Sequence, residues 1–201
     1  MHRLASADIL PFDFKCFSET VEKYVKEVSK LVDEMREETE ELNRRISEKA
    51  FEVVSDPTKP FITPKPKEPV PYLNFAPLQN ALAKLQQSAQ EYDKAMGKAT
   101  SSGKSIPAKA RQSLNEILMK AERALTRPEG LPRRPWYVHQ IYAPGAYTGY
   151  GVKTLPSVRE AIELQNWKEA EDQIPVVAQV LEKFAEDIDR ATTILSDAMT
   201  K

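Results

Sequence analysis

The sequence predicts an all-α protein: a helical bundle of about four main helices, with a long ordered loop rich in Pro, Gly and aromatic residues before the C-terminal helices. Three observations carry this. Glycine is scarce, at 6 of 201 residues, while Ala, Glu, Lys, Leu and Gln, which favour helices, are frequent. Apolar residues recur every three or four positions over long stretches. No region shows the alternating segments split by Asn-Gly or Asp-Gly that hairpins leave.

Composition narrows the function classes. A chain of 201 residues fits one ordinary domain or two small ones and can remove roughly 70% of its unfolded surface from water. Lys plus Arg number 29 against 30 Asp plus Glu, a formal charge of -1, so no excess positive charge attracts a phosphate backbone and nucleic acid is not an expected partner. No apolar run approaches the roughly 20 residues needed to cross a bilayer, so no membrane partner is expected. The opening MHRLASADILPFDF does not read as a signal peptide. One cysteine, Cys16, and two histidines, His2 and His139, exclude an internal disulfide and leave little for a zinc cluster. Cys16 is expected as a small buried apolar residue.

The elements follow in order. Residues 1–15 read as an extended junction, since Ile9, Leu10, Pro11, Phe12 and Phe14 fit helical spacing poorly and Pro11 disfavours helical geometry at Leu10. A long helix then runs to about Val54, with Ser18 as N-cap and a stripe through Phe17, Val21, Tyr24, Val25, Val28, Leu31, Val32, Met35, Leu42, Ile46 and Val53. Glu22 with Lys26 and Glu41 with Arg45 have favourable i,i+4 order. The charged middle, Glu34 to Glu41, reads as a solvated stretch and as a place where two shorter helices could meet. Residues 56–71 hold Pro57, Pro60, Pro64, Pro66, Pro69 and Pro71 and read as an extended surface connection.

A second helix has Asn74 as a cap, Pro77 in its first turn and Leu78, Leu82, Leu85, Ala89, Tyr92 and Met96 on one face, ending between Gly97 and Gly103. A third starts at a Ser105 cap and carries Leu114, Ile117, Leu118, Ala121 and Leu125 until Pro128. These three helices are expected to be antiparallel neighbours. Residues 126–156 form the ordered loop, because Trp136, Tyr137, Ile141, Tyr142, Tyr147 and Tyr150 are too many large groups to leave in water. Ser157 caps a short helix through Val158, Ala161 and Ile162. A last helix, from about Trp167 to Met199, buries Ile174, Val177, Val180, Leu181, Phe184, Ile188, Ala191 and Leu195, with a kink or restart at Pro175.

The sequence holds no phosphate-cradling Gly-rich loop, no nucleophile elbow and no histidine pair one turn apart, so catalysis within this chain is not expected. His139 reads as a hydrogen-bonded histidine in a half-buried loop.

The run GLPRRPWYVHQIYAPGAYTGYG, preceded by LMKAERAL, resembles the transferrin receptor-like dimerisation domain, the C-terminal helical domain of the glutamate carboxypeptidase II and transferrin receptor family. RLASADILPFDF looks like the junction where that domain leaves the zinc peptidase domain. The resemblance covers Arg3 to about Tyr24, Tyr72 to Leu125 and Gly130 to about Ile194, with high specificity in the loop and low specificity in the helices. The Glu-rich end of the first helix and the Pro-rich connection depart from the pattern.

The resemblance implies a helical domain, residues 16–201, that forms a homodimer and completes the substrate pocket of its own peptidase domain. Zinc and the catalytic groups are expected in that other domain, with no cofactor and no catalytic residue in this one. In the family the loop offers an adjacent Lys and Tyr to a substrate carboxylate. Ungapped alignment of IYAPGAYTGYG puts Gly149 at the lysine position and Tyr150 at the tyrosine, with Lys153 near enough in sequence to substitute. On the residues alone Lys153 reads as a solvent-exposed lysine. The alternative reading is a free-standing helical protein–protein interaction module.

Overall fold

The computed structural model describes residues 7–51, 64–103, 105–149 and 151–200. Among them are five α-helices: α1 (Phe14–Ser47), α2 (Ala76–Ser101), α3 (Ala108–Lys120), α4 (Pro156–Glu163) and α5 (Trp167–Thr200). A 3-10 turn, Ala121–Leu125, continues α3, and two three-residue strands, β1 (Tyr142–Pro144) and β2 (Val152–Thr154), pair antiparallel with Ala143 opposite Lys153. The helical bundle is as expected; the strand pair is not, because it is too short to leave an alternating pattern and its connection uses no two-residue turn.

The core is organised around α5, which packs against α2, α3, α4 and the 3-10 turn. Ile174, Leu181, Ile188 and Leu195 are fully or almost fully buried on α5. Their seven-residue spacing, with Val177, Phe184 and Ala191 between them, places one seam along the helix. On α2 the same four-three alternation runs through Leu78, Leu82, Leu85, Ala89 and Tyr92, all buried. Two such seams interlock side by side, and Lys84 reaches Glu186 across the edge at 3.1 Å.

α1 lies antiparallel to α2. Gln86 donates to Glu22 at 3.0 Å, while Phe14 meets the edge of Tyr92 with ring centroids 5.0 Å apart, so the chain climbs one helix as it descends the other. Phe184 of α5 closes the aromatic group against Phe14 and Phe17 at 5.7 and 5.1 Å. Burial pushes the Tyr92 phenol up to about 12. α3 packs chiefly on α5, so the first three helices are not a consecutive antiparallel set: α5 takes the place beside α2 because its seam is the longest apolar stripe.

Several ends differ from expectation. α1 begins at Phe14, not after Ser18, because the Asp13 carboxylate accepts from the Cys16 amide at 2.8 Å and caps it. Ser18 lies buried within the helix and its hydroxyl donates to the Lys15 carbonyl at 2.9 Å. With Phe14, Ser18, Val21 and Val25 facing inward, Cys16 falls on the opposite side and is exposed. α1 runs unbroken through Glu34–Glu41 and stops at Ser47, short of Val54, with Lys49 in the left-handed region at φ 53°. The Glu22–Lys26 and Glu41–Arg45 pairs form. Residues 64–71 form no helix or strand, and Asn43 exchanges two hydrogen bonds with the Lys67 backbone, at 2.8 and 2.9 Å. Pro57, Pro60, Val53 and Val54 lie outside the described residues.

At the start of α2 the Asn74 side chain accepts from the Ala76 amide at 3.0 Å. α3 is capped by Pro107 in extended geometry, not by Ser105. α4 begins after Leu155, which holds φ 47°, with Pro156 at its first position; Ser157 is buried inside the helix and caps nothing. α5 starts from Asn166, whose side-chain oxygen accepts from the Glu169 amide at 3.4 Å and whose side-chain amide donates to the Glu169 carboxylate at 3.0 Å. It continues through Pro175 without restarting. Pro175 sits on the exposed face, where water can meet the carbonyl that its missing N–H leaves free.

Candidate functional site

The loop between the 3-10 turn and α4 is built in two tiers. The lower tier folds residues 126–140 back on themselves: Arg127 N–H donates to the Val138 carbonyl at 2.8 Å, Leu131 to Tyr137 at 2.9 Å, and Gln140 to Leu125 at 2.9 Å. The turn at its tip requires Gly130, whose φ is 70° and whose missing Cβ would fall 2.2 Å from the Pro135 carbonyl oxygen. The upper tier is the β1–β2 pair and the residues between its strands, which include Gly145, Gly149 and Gly151.

Three ion pairs among the described residues tie the tiers to the bundle, Arg133 to Glu169, Lys153 to Glu163 and the buried Arg134 to Glu160, and the last of them joins both tiers at once. Arg134, in the lower tier, donates through Nη2 to both carboxylate oxygens of Glu160 on α4, at 2.9 and 2.8 Å. Their side chains are only 8% and 5% exposed. Arg134 Nη1 also donates to the Pro144 carbonyl, and Glu160 accepts the Ala146 amide at 2.9 Å. One guanidinium and one carboxylate thus fix β1, the start of the upper tier and the lower tier to a single helix. The buried guanidinium Nε has no hydrogen-bond partner among the described residues, and neither member of a buried pair tolerates loss of the other.

His139 fixes the root of the loop. Its Nδ1 accepts from the Ile141 and Tyr142 amides at 3.2 and 3.3 Å, so the proton of the neutral ring sits on Nε2. Nε2 has no hydrogen-bond partner among the described residues, and the nearest carboxylate oxygen, on Glu122, is 3.9 Å away. The ring lies over that of Tyr142 with centroids 4.1 Å apart. Tyr142 donates its hydroxyl to Glu122 at 2.6 Å, which raises the phenol above its usual value. Burial lowers the His139 imidazole below 6.5, against a smaller opposing pull from Glu122.

A depressed histidine means that the unfolded chain binds the proton more tightly than the folded one. Stability from this residue is therefore complete above the unfolded value near 6.5 and is lost as pH falls through it toward the lower folded value. Urea unfolding at pH 7.5 and 5.5 should show a decline in the wild type that is smaller in His139→Asn, whose amide oxygen can replace Nδ1 as acceptor. Equal slopes in the two proteins would remove His139 from this role.

The loop's large side chains do not bury as a group. Ile141 and Ala143 are buried, but Trp136 and Tyr147 are 70% and 75% exposed, and Tyr137, Val138, Tyr142 and Val152 also face solvent. The backbone hydrogen bonds and the Arg134–Glu160 pair order the loop, leaving its aromatic residues as a contiguous-sequence surface rather than a core. Gly149 holds φ 60° in open space. Lys153, on β2, is partly buried rather than free in solvent, with its ammonium on both oxygens of Glu163 at 2.7 and 2.9 Å. Tyr150 lies outside the described residues. Sequence reading missed Arg134 and Glu160, which are 26 positions apart; each stands next to another charged residue, Arg133 and Arg159, so nothing local singles it out.

Among the described residues, no three His, Cys, Asp or Glu side chains converge to hold a metal ion. No helix of the described residues is long and apolar enough to cross a membrane.

Comparison with known proteins agrees with this architecture. A "Probable glutamate carboxypeptidase LAMP1" from Arabidopsis thaliana is 42% identical over 77 residues, 35% of this chain and 11% of the relative. A "Probable glutamate carboxypeptidase" from Arthroderma benhamiae is 27% identical over 175 residues, 86% of this chain and 19% of the relative. "Probable glutamate carboxypeptidase VP8" from Zea mays is 31% identical over 86 residues, 42% of this chain and 12% of the relative. The chain thus spans less than a fifth of the length of these relatives. Residues 73–189, from the entry into α2 to the middle of α5, match the transferrin receptor-like dimerisation domain, and the chain belongs to that family.

Proposed function

We propose that this chain is the dimerisation domain of a glutamate carboxypeptidase-like zinc metallopeptidase, and that its loop completes the substrate pocket of the peptidase domain. What supports the reading is a loop made rigid from below by Arg134 and Glu160 while its aromatic side chains are left uncovered. A surface that is both ordered and apolar suits a second protein surface. In this reading the catalytic chemistry and the zinc belong to the peptidase domain.

In this reading Tyr150 is the residue of the loop that touches substrate, donating its hydroxyl to a carboxylate. Gly149 contributes no side chain beside it, and Lys153, the substitute cation of this reading, is paired with Glu163 in this chain. A hydrogen bond to a charged group is worth about 1.5–3 kcal/mol. In the full-length parent, Tyr150→Phe should lower kcat/KM by roughly 10- to 100-fold on a substrate with a free C-terminal carboxylate and much less on its amide. An equal loss on both substrates, or none, would assign Tyr150 to loop structure.

The self-association in this reading is two-fold and isologous, made by helical surfaces. A stable interface buries about 1,200–2,000 Å² in total, and a contact shared with the peptidase domain leaves this chain alone with only part of that. Sedimentation at high concentration should therefore show weak, reversible dimer. A monomeric full-length parent would sink the dimer reading.

A further inference from the structure

We propose that a hollow beside the start of α1 receives an arginine side chain of a partner polypeptide. The cavity, about 200 Å³, lies where the first turn of α1, the 3-10 turn, β1 and α5 meet. Its walls are aromatic: Phe14 and Phe184 are buried in the core, and Phe17 packs edge-on to Phe184. Phe12, stacked on Phe14 at 5.8 Å, and Tyr142 flank the opening with 44% and 43% of their surfaces exposed.

The charged lining residues are both acidic, Asp13 and Glu122. Asp13 accepts the Cys16 amide and Glu122 accepts the Tyr142 hydroxyl, so both side chains are positioned. Among the described residues neither is paired with a lysine or arginine; the nearest basic group to Glu122 is the His139 ring, 3.9 Å away. Aromatic faces and two carboxylates around one opening are complementary to an organic cation. Size decides which kind: small-molecule sites occupy roughly 300–1,000 Å³, and this hollow holds about one side chain. A guanidinium fits better than an ammonium because its plane stacks on rings while its edges donate to carboxylates. The inference does not depend on a role in a peptidase.

The test uses the full 201-residue chain, labelled with nitrogen-15, titrated with a blocked Gly-Arg-Gly peptide and its citrulline and norleucine counterparts. The arginine peptide should give saturable amide shifts confined to Asp13, Phe17, Ala121, Glu122 and Tyr142, at millimolar affinity that weakens with salt. Citrulline, equal in shape but neutral, should bind roughly 10-fold more weakly. Glu122→Gln, which can still accept from Tyr142, and Phe12→Ala, at an exposed site, should each weaken the arginine peptide several-fold while leaving the rest of the spectrum in place. Equal binding of citrulline, tighter binding of norleucine, or no localised shift with the arginine peptide would each overturn the proposal, the second by making the hollow an apolar-residue site.

Discussion

Arg134→Met should lower the unfolding free energy by about 3–5 kcal/mol, because it leaves the Glu160 carboxylate buried with only the Ala146 amide as partner. For a chain of this length each kcal/mol corresponds to roughly 2–4 °C, so the melting temperature should fall by about 10 °C. The effect should be local before it is global: the Ala146 amide, which donates to the Glu160 carboxylate that Arg134 holds in place, should lose hydrogen-exchange protection first. The double variant Arg134→Met, Glu160→Leu removes both charges and should recover much of the loss, since a buried pair replaced by apolar groups of similar volume is often neutral. A single variant that costs less than about 1 kcal/mol, the range of exposed pairs, would mean that water reaches the carboxylate.

Leu181→Ala should be comparably damaging for a different reason. Leu181 is 0% exposed, at the centre of the helix that contacts α2, α3, α4 and the 3-10 turn, where few neighbours can move inward to fill a gap. Deleting a buried leucine side chain costs about 2–5 kcal/mol, with the upper end at sites that cannot collapse. Chemical denaturation should place this variant near that upper end, with an unchanged m-value if the fold is kept. Met at the same position fills the space and should cost less than about 1.5 kcal/mol. Losses of equal size for Ala and Met would point to strain rather than to a cavity.

The helices were legible because their information is local. A stripe with four-three spacing, as in Leu78, Leu82, Leu85, Ala89 and Tyr92, has one face to hide whatever it meets, and all five residues are buried. The seam of α5 and the i,i+4 pairs of α1 follow from the same periodicity. Family membership was legible too, from an unusual string of Pro, Gly and aromatic residues that helical chains do not otherwise need.

What the tertiary structure decided were choices between local alternatives. Asp13 and Ser18 are both good caps, and only the inward rotation of Phe14 against Tyr92 and Phe184 selects Asp13. That same rotation exposes Cys16. Pro175 is compatible with a helix because it faces water, and its facing depends on which side of α5 meets α2. The loop is the clearest case. Counting large aromatic residues predicts an ordered loop that keeps them out of water, yet several stay exposed and order comes from backbone hydrogen bonds and from ion pairs such as Arg134 with Glu160, which no periodicity relates. Sequence patterning specifies what a segment must bury; which charges meet, and which aromatic residues remain outside, depends on how distant segments close on one another.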